Sequence, residues 1–598
     1  MTVEIPTEAG MTTPVAGLSY TLAPGEILGV VGESGSGKSM SALSLCGLGP
    51  TQAMTGGSVQ LRGQELLGRS DRALRQIRGR DVGYIFQDPQ AALNPLMTCG
   101  DQIAETLRAH KNTPRSQGRK RAVELFEAVG LSNPAQRARQ YPHELSGGMR
   151  QRVMIAMAIC CDPSVIIADE PTTALDVIIQ GQVINLLRDV RDRTGAAMLF
   201  ISHDLNLVGS LADRILVMHG GRVVEEGSTA QIIEAPKHPY TKALLGSSPD
   251  LLGERVQQFV GVDERIFDAM RNGDDDASSP SPEDAALRHA EALEDLLTAR
   301  DHEQAGSPEQ PVHPADDAEP VSYGTTYAGD GASVLKIREL SVRFGMHGKV
   351  GRKAAAVTAV DAVNLEVKKG QILGVVGESG SGKTTLARAL VGLERPSEGT
   401  IVYDGVEVFP VPGRRRYTAP RSIQMVFQDP NASLNPRMRV DDLVAEGLDI
   451  RGSAKSKSER DAKVCELLNR VGIDPELRRR YPHQFSGGQR QRIAIARTLA
   501  VEPDLLVCDE AVSSLDVSIR AHVLNVLLAE RARSGLSIVF IGHDLSVIRH
   551  LADYTVVMSR GQVVEHGSTE DVIFRPQHAY TKQLVAASQY RFERQGVG

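Results

Sequence analysis

The sequence predicts an α/β fold that the chain builds twice. Three observations carry this. The run ILGVVGESGSGK occurs at 27–38 and again at 372–383. Later landmarks recur in the same order: FQDP starts at 86 and 427, SGG at 146 and 486, HD at 203 and 543, and YTK at 240 and 580. Within each copy, short and continuously apolar runs (VIIAD and MLFISH, then LLVCD and IVFIGH) alternate with helix-like stretches. Strands of a parallel sheet, covered on both faces, read that way.

The offset between copies is 345 at the Gly-rich run, 341 at FQDP and 340 from SGG onward. Two copies of one domain, with small length changes near the front, account for this drift. The domains are expected at 1–250 and 333–598, joined by a linker at 251–332. Within the linker, 273–332 is acidic, rich in Pro, Gly and Ser, and poor in large apolar residues. Such a segment cannot bury enough apolar surface to offset its ordering entropy and is expected to be a flexible tether. Ala and Leu at helical spacing predict one short helix in it, over 283–302. The stretches at about 91–163 and 432–503 read as helical subdomains.

A charged fraction of 24% with a net charge of −7 excludes a whole-chain electrostatic grip on nucleic acid. No run approaches the roughly 18 apolar residues needed to span a bilayer. The opening MTVEIPTEAG has neither the basic start nor the apolar core of a signal peptide. Any membrane part of the function must therefore come from other chains. The six cysteines are scattered without metal-ligand spacing, as in a reducing cytoplasm.

The chemistry begins with Gly32-Glu33-Ser34-Gly35-Ser36-Gly37-Lys38-Ser39, which fits GxxxxGK[ST]. So does Gly377-Glu378-Ser379-Gly380-Ser381-Gly382-Lys383-Thr384. Glycines let the backbone wrap phosphate oxygens without a Cβ clash, and the following helix aims free N–H groups and its dipole at the anion. Lys38 and Lys383 would reach the β- and γ-phosphates, and Ser39 and Thr384 would ligate Mg²⁺. A plain flexible turn would not recur twice between an apolar strand and a helix. Two acids then end an apolar strand in each copy: Asp169 with Glu170, and Asp509 with Glu510. The Asp suits Mg²⁺ held through a water. The Glu suits a general base for the attacking water, a role worth about 10²–10⁴ in rate. So far the chain is a duplicated P-loop NTPase.

Four further elements make it resemble the ABC ATPases over nearly everything outside the linker. Leu145-Ser146-Gly147-Gly148-Met149 and Phe485-Ser486-Gly487-Gly488-Gln489 resemble the ABC signature, each 23 residues ahead of the strand-end Asp (169−146 and 509−486). Gln87 and Gln428 match the family's Q-loop, which senses Mg²⁺ and nucleotide. Ala174-Leu175-Asp176 and Ser514-Leu515-Asp516 match its D-loop. His203 and His543 match its switch histidine. The resemblance implies a head-to-tail pair with two composite ATP sites. One joins Lys38, Ser39, Gln87, Asp169, Glu170 and His203 to Ser486, Gly487, Gly488 and Gln489. The other joins Lys383, Thr384, Gln428, Asp509, Glu510 and His543 to Ser146, Gly147, Gly148 and Met149. Both catalytic Glu and both His are present, so two active sites are expected.

Leu93-Asn94-Pro95 and Leu434-Asn435-Pro436 after FQDP, with His238-Pro239-Tyr240-Thr241-Lys242 and His578-Ala579-Tyr580-Thr581-Lys582 near each copy's end, narrow the resemblance. They are similar to the dipeptide/oligopeptide/nickel importer branch, whose fused members include glutathione-type importers. This implies an energy-coupling ATPase on the cytoplasmic face of the cell membrane. Its partners would be two integral-membrane permease subunits and an extracytoplasmic solute-binding protein, with no nucleic acid.

Three departures stand out. Members of the branch often hold an iron–sulfur centre on cysteines after the YTK segment. This sequence has no cysteine between Cys161 and Cys465 and none after Cys508, so no cluster is expected. The family stacks adenine on an aromatic about thirty residues before the phosphate loop. Phe344 fits in the second copy. In the first, Ile5 falls at that place and the preceding strand is expected to be missing, for which a mis-assigned start codon is one explanation. Finally, Ala511 stands where the first copy has Pro171. A rival reading is a soluble ABC ATPase acting on ribosomes or nucleic acid, but an acidic linker is repelled by phosphate. The LNP and YTK segments speak against an exporter. The intact Glu170 and Glu510 speak against a module that only binds nucleotide.

Overall fold

A computed structural model describes residues 1–7, 10–173, 175–246, 331–345, 357–409, 420–512, 515 and 517–589. The expected helix at 283–302, nearly all of the 251–332 linker, and the D-loop residues Ala174, Ser514 and Asp516 lie outside the described residues.

Each half is organised by a six-stranded sheet. In the first, the strand order is Arg222–Ser228, Arg214–His219, Ile27–Val31, Ala197–Ser202, Val165–Asp169 and Val82–Ile85. Neighbours run parallel except the edge hairpin of Arg214–His219 with Arg222–Ser228. The second repeats the order with Gln562–Ser568, Tyr554–Ser559, Ile372–Val376, Ser537–Ile541, Leu505–Asp509 and Ile423–Val426. The strands Ile27–Val31, Ala197–Ser202, Ile372–Val376, Leu505–Asp509 and Ser537–Ile541 are buried at every position. That is why their sequences run apolar without alternation. The phosphate-loop strand is central in each sheet, so the loops at the carboxyl ends of it and its neighbours converge on one crevice.

Between Val82–Ile85 and Val165–Asp169 the chain is helical, with Cys99–Lys111, Arg115–Ala128 and Gly147–Ile159 as the main helices. Val440–Arg451, Lys457–Arg470 and Gly487–Leu499 are their counterparts. Their apolar faces join one face of the core sheet in a single cluster, in which Phe126, Met154, Phe200 and Tyr240 are among the buried residues of the first half.

A smaller antiparallel sheet covers the other face of each core sheet. In the second half its order is Val357–Lys368, Ser333–Phe344, Glu398–Tyr403 and Val406–Phe409. The first half corrects the expectation of a missing strand: Gly10–Val15, Thr2–Thr7 and Met54–Gly56 pair in that order. Val3 pairs with Val15 and Ile5 with Thr12, just as Val342 pairs with Val360 and Phe344 with Val357. Ile5 thus stands in the register position of Phe344. The strand was hidden because TVEIPT and GMTTPV carry Pro6, Pro14 and Gly10. Pro14 lies on the edge strand, where its missing N–H breaks no ladder bond between strands. Pro6 lies beyond the part of its strand that is flanked on both sides, since Met54–Gly56 pairs only with residues 2–4.

The two halves touch. Helix Val177–Thr194 of the first packs against helix Ala579–Gln589 of the second. Ile178, at its start, packs against the apolar core of the second half.

Candidate nucleotide sites

The phosphate loop joins a buried strand to a short helix in each half, Lys38–Leu45 and Lys383–Leu390. Its glycines are required by space and by backbone. A Cβ on Gly32 would lie 2.2 Å from the Met218 carbonyl oxygen, and one on Gly37 would lie 2.1 Å from that of Pro14. Gly377 and Gly382 meet Met558 and Ala359 in the same way, at 2.2 and 2.3 Å. Gly37 and Gly382 also sit at φ +95° and +101°, a region that L side chains rarely adopt. Ser34, Gly35, Ser379 and Gly380 form the exposed lip.

Lys38 is buried and curls back over its own loop. Its Nζ donates to the carbonyls of Gly32 (2.7 Å) and Glu33 (2.8 Å). Lys383 repeats this with Gly377 (2.7 Å) and Glu378 (2.8 Å). Burial lowers the pKa of Lys383, against the pull of Glu510, Asp509, Asp176 and Glu378. Asp176 belongs to the first half, so the D-loop of one half lies within electrostatic reach of the phosphate loop of the other.

Ser39 donates to Asp169 Oδ1 at 2.8 Å, and Thr384 to Asp509 Oδ1 at 3.1 Å. Hydroxyl and carboxylate together form an oxygen-only pair, the donor set a hard divalent cation takes. Burial raises the pKa of both Asp169 and Asp509, opposed by these hydroxyl bonds. Glu170 and Glu510 both have φ +46°, a left-handed conformation that costs about 1–2 kcal/mol for an L-residue. The strain aims each side chain. Gln87 Nε2 donates to Glu170 Oε2 at 2.9 Å, and Gln428 Nε2 to Glu510 Oε2 at 2.7 Å. Thr173 donates to Glu170 Oε2 at 2.8 Å, and His203 Nδ1 lies 3.5 Å from the same oxygen. Burial alone would raise Glu170. The His203 bond and charge, the Thr173 hydroxyl and the Lys38 ammonium outweigh it and hold the carboxyl down at about 2. Two adjacent acids with pKa values pushed apart are the usual mark of divided roles. His543 follows the end of the matching strand, Ser537–Ile541, half-buried.

The signatures begin the helices Gly147–Ile159 and Gly487–Leu499. Ser146 Oγ caps the first by accepting from Met149 N–H (3.4 Å), and Ser486 Oγ caps the second by accepting from Gln489 N–H (3.3 Å). Gly147 and Gly487 face open space. Gly148 and Gly488 do not: a Cβ there would meet Ile179 at 2.9 Å and Ile519 at 2.3 Å, on the helices that follow the D-loops. Phe344 is 41% exposed at the end of its strand, while Ile5 is half-buried.

Three residues at these sites carried no sequence signal for their role. Tyr84 donates its hydroxyl to Asp169 Oδ2 at 3.0 Å. The hydroxyls of Tyr240 and Tyr580 accept from the phosphate-loop N–H groups of Glu33 (3.0 Å) and Glu378 (2.8 Å). The repeat of YTK marks the last two as equivalent, but the contact spans 207 and 202 residues of chain.

The fold and these clusters define a protein with two P-loop nucleotide centres of matching design. The model of the ABC transporter family matches residues 15–173 and 360–513, and that of the oligopeptide/dipeptide transporter C-terminal region matches 224–263. The chain is 44% identical over 597 residues to the oligopeptide transport ATP-binding protein OppD of Mycobacterium tuberculosis, covering 98% of this chain and 97% of that protein. It is 41% identical over 584 residues to the glutathione import ATP-binding protein GsiA of Escherichia coli K12, covering 96% and 86%. The chain belongs to the ABC transporter family as a fused pair of ATP-hydrolysing cassettes.

Proposed function

We propose that this chain is the energy-coupling ATPase of an importer for di- and oligopeptides or related small solutes. The observation that carries the reading is one catalytic cluster built twice, in a chain similar from end to end to ATP-binding proteins of oligopeptide transport and glutathione import. Residues 1–250 and 333–598 are the two ATPase domains, with helical subdomains at about 91–163 and 432–503, and 251–332 links them.

In this reading the loops around Lys38 and Lys383 bind the ATP phosphates. Mg²⁺, when bound, neutralises phosphate charge. Ser39 with Asp169, and Thr384 with Asp509, would hold it, with Gln87 and Gln428 beside them. Glu170 and Glu510 orient and deprotonate the attacking water, and His203 and His543 contact the γ-phosphate. Each site is completed by the signature of the opposite half: Ser486, Gly487, Gly488 and Gln489 for the first, Ser146, Gly147, Gly148 and Met149 for the second. The position of Asp176 near Lys383, Glu378 and Tyr580 supports that head-to-tail pairing. ATP binding then closes the halves and hydrolysis releases them.

Among the described residues no helix is long and apolar enough to cross a membrane. Two integral-membrane permease subunits would supply the pore, and an extracytoplasmic solute-binding protein the cargo, with this chain on the cytoplasmic face. Gentle purification from membranes is expected to bring down two polytopic proteins; recovery with ribosomes or nucleic acid would sink the reading. No iron–sulfur cluster is part of it, and an anaerobic preparation that carries stoichiometric iron would correct that point.

A further inference from the structure

The segment after the edge hairpin ends each half with a tyrosine aimed back at the phosphate loop. Tyr240 opens helix Pro239–Gly246 and is fully buried. Its ring packs on His219 with centroids 4.5 Å apart, and its hydroxyl accepts the Glu33 N–H. Tyr580, on helix Ala579–Gln589, accepts the Glu378 N–H in the same geometry although Ser559 replaces the histidine. Of these two contacts, the hydroxyl bond is the one the halves share.

The bond falls on a sensitive peptide. The carbonyl of that peptide, Gly32 C=O, accepts from Lys38 Nζ at 2.7 Å. In the second half the Gly377 carbonyl, of the peptide whose N–H meets Tyr580, accepts from Lys383 Nζ at 2.7 Å. A lysine ammonium has three donors. When it turns some of them to phosphate oxygens, its hold on the loop carbonyls weakens, and the bond on the opposite side of the same peptide gains importance. Preorganised loop donors bind an anion better than donors that must be ordered at each encounter.

We infer that the Tyr240 and Tyr580 hydroxyls are positioning groups for nucleotide binding: each holds the first peptide of its phosphate loop in the ATP-receptive shape. The inference rests on the reading that the Lys38 and Lys383 loops bind ATP. It gives the C-terminal segment of each half a task in the ATP site itself. Helix Ala579–Gln589 also packs on helix Val177–Thr194 of the first half. Tyr580 therefore ties the second phosphate loop to the contact between halves.

The test is Y240F and Y580F in the full chain, since Phe keeps the ring and removes only the hydroxyl. Binding of a fluorescent methylanthraniloyl-ATP, ATP KM, kcat and thermal melting are measured together. Loss of one neutral hydrogen bond is expected to weaken nucleotide affinity and raise KM by about three- to tenfold, with kcat changed less and melting lowered by no more than about 2–4 °C. Wild-type affinity and KM in both variants would overturn the inference, leaving the tyrosines as packing. Lowered melting with unchanged affinity would overturn it as well. An unsubstituted chain that fails to bind the probe would instead overturn the nucleotide-site reading beneath it.

Discussion

The first and second nucleotide pockets carry the same catalytic bonds on different supports. In both, a buried lysine spans two loop carbonyls, a hydroxyl meets the strand-end Asp, and a Gln reaches a strained Glu. Around that shared centre the rims diverge. The second half offers the exposed ring of Phe344 where the first offers Ile5. The first half braces Asp169 with the Tyr84 hydroxyl, while the matching place in the second is the buried Met425. The second signature helix has a full capping box, Ser486 with Gln489, which Met149 cannot complete in the first. The atoms that make or break bonds with ATP are duplicated, whereas the groups that set affinity, charge and rigidity have drifted.

The largest effect expected from these differences is at the adenine platform. Base–aromatic stacking is worth about 1–3 kcal/mol. F344A should therefore weaken the tighter of two nucleotide affinities by about 5- to 150-fold in a titration that resolves both sites, and I5F should tighten the weaker one. Equal affinities in the unsubstituted chain would break the comparison. The next is at Asp169. Burial raises this carboxyl and the Tyr84 bond opposes the rise. Removing the bond in Y84F should push the carboxyl further up, so its charged form is lost at a higher pH. The acid limb of the ATPase profile should then move to higher pH, and M425Y should draw the second site's limb the other way. The smallest is at the signature. M149Q adds a side-chain acceptor for the Ser146 N–H and should stabilise the chain by about 0.5–1 kcal/mol, read as a raised denaturation midpoint; Q489M should do the reverse.

Much of this was legible in the sequence. Continuous apolar runs became fully buried strands because a sheet covered on both faces allows nothing else. The glycines of the phosphate loop had to be glycine for reasons of space and φ. What stayed hidden was non-local or masked by local composition. The strand Thr2–Thr7 carries a proline, and its pairing with Gly10–Val15 is a ladder the composition conceals. The bonds from Tyr84 to Asp169 and from Glu33 to Tyr240 join residues far apart in the chain, and no periodicity encodes which hydroxyl meets which group. The left-handed backbone at Glu170 and Glu510 is likewise imposed by the loop around them, since glutamate has no preference for it.

The central claim is that one polypeptide holds two working ATP sites, and separate E170Q and E510Q variants test it most directly. Gln keeps the shape and the left-handed backbone but cannot take the proton. Each variant should lower steady-state ATP turnover by about 10² or more while nucleotide binding persists. Turnover near that of the unsubstituted chain in either variant would contradict the account.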